Sequence, residues 1–141
     1  MTLPDGYRLD SSAPSVEDYR ALRAVTGLSV KSDGQARAAI AGTWTFRRAL
    51  DAEGTTVAMG RIVGDGGWYF LIADMATLPE HQGRGLGAAI LRELLDEIAE
   101  RAEPGAYVTL TADPPGRRLY ESFGFEDVAP GRTGMHMVLG R

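Results

Sequence analysis

Apolar positions along this chain change their period several times, and each change marks a different element. Val16, Tyr19, Leu22 and Arg23 fall on one stripe at helical spacing. Ahead of them, Pro14-Ser15-Val16-Glu17-Asp18 offers a capping serine and early acids, so a helix is predicted from there to about Val25. Tyr7-Arg8-Leu9 reads as a short opening strand, and Asp33-Gly34-Gln35 opens a second, alanine-rich helix ending near Gly42. The pattern then turns strand-like over Trp44 to Leu50, Thr56 to Val63 and Trp68 to Thr77. The turns between these runs, Asp51-Ala52-Glu53-Gly54 and Gly64-Asp65-Gly66-Gly67, are short and glycine-bearing, which predicts an antiparallel meander.

From Leu86 to about Arg101 the helical period returns, with Ile90, Leu94 and Ile98 on one row and Leu91 and Leu95 beside it, until Glu103-Pro104-Gly105 stops it. Tyr107 to Thr111 reads as a fifth strand, parallel to the fourth because a right-handed helical crossover joins them. Pro114-Pro115 starts a short helix through Phe123, and Phe125 to Val128 and Met135 to Leu139 read as closing strands. The expectation is one α/β (α+β) domain over residues 1–141, in the order β-α-α-β-β-β-α-β-α-β-β. It would hold a mixed sheet of six to seven strands flanked by four helices.

Composition narrows the chemistry more than the fold. At 141 residues with 44% hydrophobic positions, the chain can bury a single core. With no cysteine, it has no disulfide, thiolate metal site or cysteine nucleophile. The two histidines and scattered acids show no metal-ligand spacing, so no metal is expected. A net charge of −4 argues against nucleic acid and mildly favours a cationic amine. No long apolar run and no secretory signal is seen, so a cytoplasmic protein without a membrane partner is expected.

The chemistry concentrates in Gln82-Gly83-Arg84-Gly85-Leu86-Gly87, which joins a strand to the long helix. Glycines at 83, 85 and 87 permit conformations and close approaches that a Cβ would block, and the N–H groups opening the helix face the same point. A phosphate-bearing ligand fits such a cradle. A nucleotide-hydrolase loop would need Lys-Ser or Lys-Thr after its last glycine, whereas Ala88-Ala89 follows Gly87. A dinucleotide fingerprint is met by Gly83, Gly85 and Ala88, with Asp113 in place of the ribose-binding acid, but fewer than thirty residues remain to complete a doubly wound sheet.

The same loop, Gln82-x-x-Gly85-x-Gly87 after Met75-Ala76-Thr77-Leu78-Pro79-Glu80, resembles the acyl-CoA pyrophosphate loop of the GNAT superfamily of N-acyltransferases. Leu119-Tyr120-Glu121-Ser122-Phe123-Gly124-Phe125 is similar to that family's late helix-to-strand segment, and the two motifs stand in the right order. The resemblance implies acetyl-CoA lying where the fourth and fifth strands splay apart. Met75 and Thr77 would then offer main-chain contacts to the pantetheine arm. Gln82, Gly83, Arg84, Gly85, Leu86, Gly87 and Ala88 would hold the pyrophosphate mostly through N–H groups, with Arg84 adding charge at the rim.

It further implies that Tyr120 protonates the departing thiolate and that a backbone N–H near Thr77 holds the oxyanion. The base is open. Strand alternation places Tyr69, Leu71 and Ala73 toward the substrate, and none of them is a good base; Asp74 matches an acidic residue before the splay point and is the candidate, beside a water-mediated route. His81 falls at the rim of the loop and His136 in the closing strand. Trp44, Phe46, Trp68 and Tyr69 are candidates to line an acceptor pocket. The expected activity is acetylation of a small molecule's primary amine by direct attack in a ternary complex, by a possible homodimer. Alternatives are a protein or peptide amine as acceptor, or a CoA-binding sensor without catalysis.

Overall fold

In a computed structural model describing residues 3–140, five strands form one sheet whose spatial order follows the chain. They are β1 (Arg8–Asp10), β2 (Thr45–Leu50), β3 (Thr56–Gly64), β4 (Tyr69–Thr77) and β5 (Tyr107–Thr109). The first four pair antiparallel and β5 pairs parallel to β4, as the short turns and the helical crossover predict. Both hairpin turns are fixed by an aspartate. Asp51 accepts from the N–H groups of Glu53 and Thr55, and Asp65 from those of Gly67, Trp68 and Tyr69. Between the strands run α1 (Val16–Val25), α2 (Asp33–Ala41) and α3 (Leu86–Arg101). Ser15 caps α1, and Ser32 with Gln35 closes a capping box on α2.

Chain contacts divide the protein into two compact units, residues 1–109 and 110–141. In the first, the sheet separates two apolar layers. Tyr19, Leu22, Ala36, Phe46, Met59 and Ala76 form the core beneath α1 and α2. On the opposite face, α3 buries Leu86, Ile90, Leu91, Leu94 and Ile98, so the predicted row of Ile90, Leu94 and Ile98 is buried with Leu91, while Leu95 is only half-buried. Gly60 of β3 makes this packing possible: a Cβ there would lie 3.0 Å from Ile90 Cγ2 and 3.3 Å from Leu94 Cδ1, and against Met75 Sδ.

In the second unit, a 3-10 turn at Pro114–Gly116 leads into α4 (Arg117–Ser122), which ends at Gly124 with φ +96°. Here the sequence expectation needs correcting. The sheet has five strands, not six or seven, because neither Phe125 to Val128 nor Met135 to Leu139 is a strand. Their alternation suits a strand, but a strand also needs a ladder partner. The first segment spends its groups on turns instead: Phe125 N–H bonds to the Tyr120 carbonyl, Ala129 N–H to the Asp127 carboxylate and Arg132 N–H to the Val128 carbonyl. In the second segment Met135, Met137, Val138 and Leu139 are all at least 80% exposed.

Candidate active site

The site grows from an irregularity in β4. Met59 pairs with Ala76 and Arg61 with Ala73, so Gly60 alone stands opposite two residues, Asp74 and Met75. Asp74 absorbs the extra residue with φ +56°, a left-handed conformation rare outside glycine, asparagine and aspartate. The bulge sends neighbouring side chains to opposite faces: Met75 goes toward Gly60 and α3, and Asp74 toward α1.

Asp74 is then enclosed by donors. Tyr19 Oη and Arg61 Nε (2.6 Å) donate to its Oδ2, and Arg23 Nη1 donates to its Oδ1. Arg61 Nη1 also bonds to the Ala39 carbonyl (3.3 Å) and Thr43 Oγ1 (3.2 Å), joining β3, β4, α1 and the end of α2. The carboxylate is only 6% exposed. Burial alone would raise its pKa, but the Tyr19 hydroxyl and the two guanidiniums outweigh that and hold it below the ordinary carboxylate range. Burial, followed by the bond to Asp74, raises the pKa of Tyr19. Sequence reasoning singled out Asp74 but missed these partners. The legible signal was Arg23 sitting in the apolar stripe of α1, one turn beyond Tyr19.

Past the bulge, β4 has a free edge. β5 pairs with it only at Tyr69, Phe70 and Leu71, so among the described residues Ile72 to Thr77 have no strand partner on that side. Leu78 N–H bonds to the Val57 carbonyl, and Met59 pairs with Ala76. Ladder alternation therefore turns the backbone groups of Met75 and Thr77 toward the open edge. Gln82 Nε2 donates to the Thr77 carbonyl (3.1 Å), which leaves the Thr77 N–H as the group available there.

Gln82 leads into the glycine loop. Gly83 and Gly85 have φ +74° and +81°, and Gly85 is the N-cap of α3. No side chain caps this end. Ala89 N–H bonds to the Gly85 carbonyl, so the earlier N–H groups of Leu86, Gly87 and Ala88 lie at the open helix terminus. A Cβ built on Gly83 or Gly85 would meet nothing within 4 Å, so the space before the loop is open and the glycines are required by conformation alone. Leu86 buries its side chain and can serve an anion only through its backbone. The long helix adds its positive dipole end. This cradle fits the pyrophosphate of acetyl-CoA, and the free edge of β4 fits the arm behind it.

Arg84 is held in place. Its Nη1 donates to Tyr7 Oη (2.7 Å) and its Nη2 to the Glu80 carbonyl (3.2 Å). The Tyr7 hydroxyl in turn bonds to His81 Nδ1 (2.6 Å), with the two rings edge to face. Tyr120 belongs to the second unit, where it packs edge to face on Phe125 and beside Gly116. Burial, then the charge of Asp113, raises its pKa, so the phenol is protonated at neutral pH. Of the aromatic side chains expected around an acceptor, Phe46 is core, and Trp44 meets Phe70 edge to face with the Arg101 guanidinium over its ring. Trp68 and Tyr69 are exposed and form a chain of ring contacts with Tyr107.

The comparisons with known proteins agree with this geometry. Residues 43–127 match the model of the acetyltransferase (GNAT) domain. Over 85 residues the chain is 31% identical to the uncharacterized N-acetyltransferase ycf52 of Pyropia yezoensis, covering 60% of this chain and 48% of that protein. It is 30% identical over 82 residues to the chloroplastic serotonin N-acetyltransferase 2 of Oryza sativa subsp. japonica, covering 58% and 40%. The chain thus spans about half the length, or less, of these curated relatives. A crystal structure of a probable acetyltransferase from meticillin-resistant Staphylococcus aureus superposes with a TM-score of 0.89 at 32% identity, over 94% of this chain and 99% of that one. The Escherichia coli ribosomal-protein-S18-alanine N-acetyltransferase shares the fold at 20% identity, with a TM-score of 0.72 over 86% and 78%. With a family match over more than half its length and a glycine loop opening the long helix behind a free strand edge, the chain belongs to the GNAT family of acetyltransferases.

Proposed function

We propose that this chain is an acetyl-CoA-dependent N-acetyltransferase that modifies the primary amine of a small molecule by direct attack in a ternary complex, residues 1–141 acting as one catalytic domain. The observation that carries the reading is the uncapped α3 terminus behind the unpaired edge of β4, which suits a pyrophosphate and an extended amide-bearing arm together. Bound acetyl-CoA would supply the activated acetyl group. The N–H groups of Leu86, Gly87 and Ala88 and the loop at Gln82, Gly83, Arg84 and Gly85 would bind phosphate oxygens; Met75 and Thr77 would align the arm. The Thr77 N–H would steady the carbonyl oxygen as it gains charge.

Tyr120 is the proposed proton donor to the leaving thiolate, because its raised pKa keeps the proton available. Asp74 enters this reading as a positioning residue for the bulge instead of a base. A carboxylate whose lone pairs already accept from two guanidiniums and a phenol is a weak proton acceptor. Water is then the route for the amine proton. The exposed Trp68 and Tyr69, with the half-buried Tyr107 beside them, support an apolar or aromatic amine as acceptor, in keeping with the relative named serotonin N-acetyltransferase. The proposal extends to a cytoplasmic enzyme and to a homodimer, the latter supported by the exposed apolar side chains from Met135 to Leu139.

Calorimetric titration with acetyl-CoA and, separately, with NADH tests the cofactor. Saturable binding of acetyl-CoA alone is expected, and binding of NADH alone would replace this reading with a dinucleotide site. Thiol release measured over a panel of arylalkylamines, polyamines and lysine-bearing peptides then tests the acceptor. Turnover confined to the peptides would refute the small-molecule proposal, and binding without turnover of any amine would leave a sensor.

A further inference from the structure

We infer that Tyr7, seventy-seven residues before Arg84 and ahead of β1, is a positioning residue for the phosphate end of the cofactor, fixing the Arg84 guanidinium before the ligand arrives. The inference rests on the proposed acetyl-CoA site. A guanidinium carries five N–H donors in a planar fork. The structure commits one to the Tyr7 hydroxyl and one to the Glu80 carbonyl, which leaves three for a phosphate at the mouth of the glycine loop. The Tyr7 ring also lies under the guanidinium, 5.9 Å from centroid to Cζ.

Tyr7 is itself oriented. Its hydroxyl accepts from Arg84 and shares a hydrogen bond with His81 Nδ1, and the edge-to-face contact with the imidazole restrains the ring. An arginine on an exposed loop would otherwise sample many rotamers and lose that freedom on binding. Two anchors on the fork lower the entropic cost of the phosphate contact without touching the acetyl end. The consequence is selective: Tyr7 should matter for ligands that carry phosphate and be silent for those that lack it. A residue that only stabilised the fold would affect both alike.

The test compares coenzyme A with pantetheine, which has the same thiol arm and no phosphate, using ligand-observed NMR on the full chain. Tyr7→Phe keeps the ring and removes the hydroxyl. It is expected to weaken coenzyme A about 3- to 10-fold, the net worth of one ordinary hydrogen bond, and to leave pantetheine unchanged. Arg84→Ala should weaken coenzyme A more, and adding Tyr7→Phe to it should cost nothing further, because the two act as one unit. Equal weakening of both ligands by Tyr7→Phe, or additive losses in the double variant, would overturn the inference while the acetyl-CoA site stands. Wild-type protein that binds no coenzyme A would remove the site and the inference together.

Discussion

At Asp74 a single side chain decides both a backbone conformation and a charge balance. Two guanidiniums and a phenol draw the carboxylate toward α1, and the left-handed backbone follows. Asp74→Asn retains a residue that tolerates φ +56° but leaves two largely buried arginines short of their counter-ion. It should cost about 3 kcal/mol of stability, read from denaturant midpoints. If Asp74 positions instead of accepting protons, the variant's kcat/KM falls while its pH profile keeps its shape; a displaced apparent pKa would restore Asp74 as base. Tyr120→Phe is expected to lower kcat by about 10- to 10⁴-fold with acetyl-CoA affinity nearly unchanged, and near-normal turnover would take Tyr120 out of the mechanism. Asp74 and Tyr120 could both be singled out from sequence as candidates because their motifs are local. Tyr19, Arg23 and Arg61 were not legible as partners of Asp74, because Tyr19 lies 55 residues away and nothing in one sequence reports such a pairing.

The helix starts were readable from sequence: α1 begins where its capping serine and apolar stripe place it, and α2 and α3 begin at Asp33 and Leu86 as predicted. The bulge was not, since it depends on which residues of β3 stand opposite Asp74 and Met75. Nor did Met135 to Leu139 reveal that no ladder awaited it, because alternation describes a strand's faces and not its partners. Two glycines mark the elements most sensitive to a methyl group. Gly85→Ala must hold alanine at φ +81°, which should cost about 1–2 kcal/mol and weaken acetyl-CoA by disturbing the α3 terminus. Gly60→Ala is permitted by its backbone but presses on Met75, Ile90 and Leu94, so a loss of about 1–3 kcal/mol is expected in a melt, with the cofactor arm shifted through Met75. Equal melting of Gly60→Ala and wild type would show that the layer between β3 and α3 can relax.

Over the whole molecule, the resolved carboxylate shifts share one direction. Asp74 and Glu97 are held low by arginine partners and hydrogen bonds against the opposing effect of burial, and Asp65 by the N–H groups of Gly67, Tyr69 and Trp68. A folded pKa below the unfolded one contributes stability that is complete above the unfolded value and lost as pH falls through the folded one. Thermal melts should therefore be level near neutrality and drop below about pH 4, and more shallowly in Asp74→Asn; an acid limb of wild-type steepness in that variant would assign the loss elsewhere. The C-terminal methionines carry a different consequence. Met135 and Met137 are 92% and 80% exposed while Met59 is fully buried, so dilute peroxide should convert the first two to sulfoxides well before the third. Peptide mass spectrometry of that order makes sulfur chemistry a reporter of the surface: protection of Met135 and Met137 at high protein concentration would reveal that a second copy covers them.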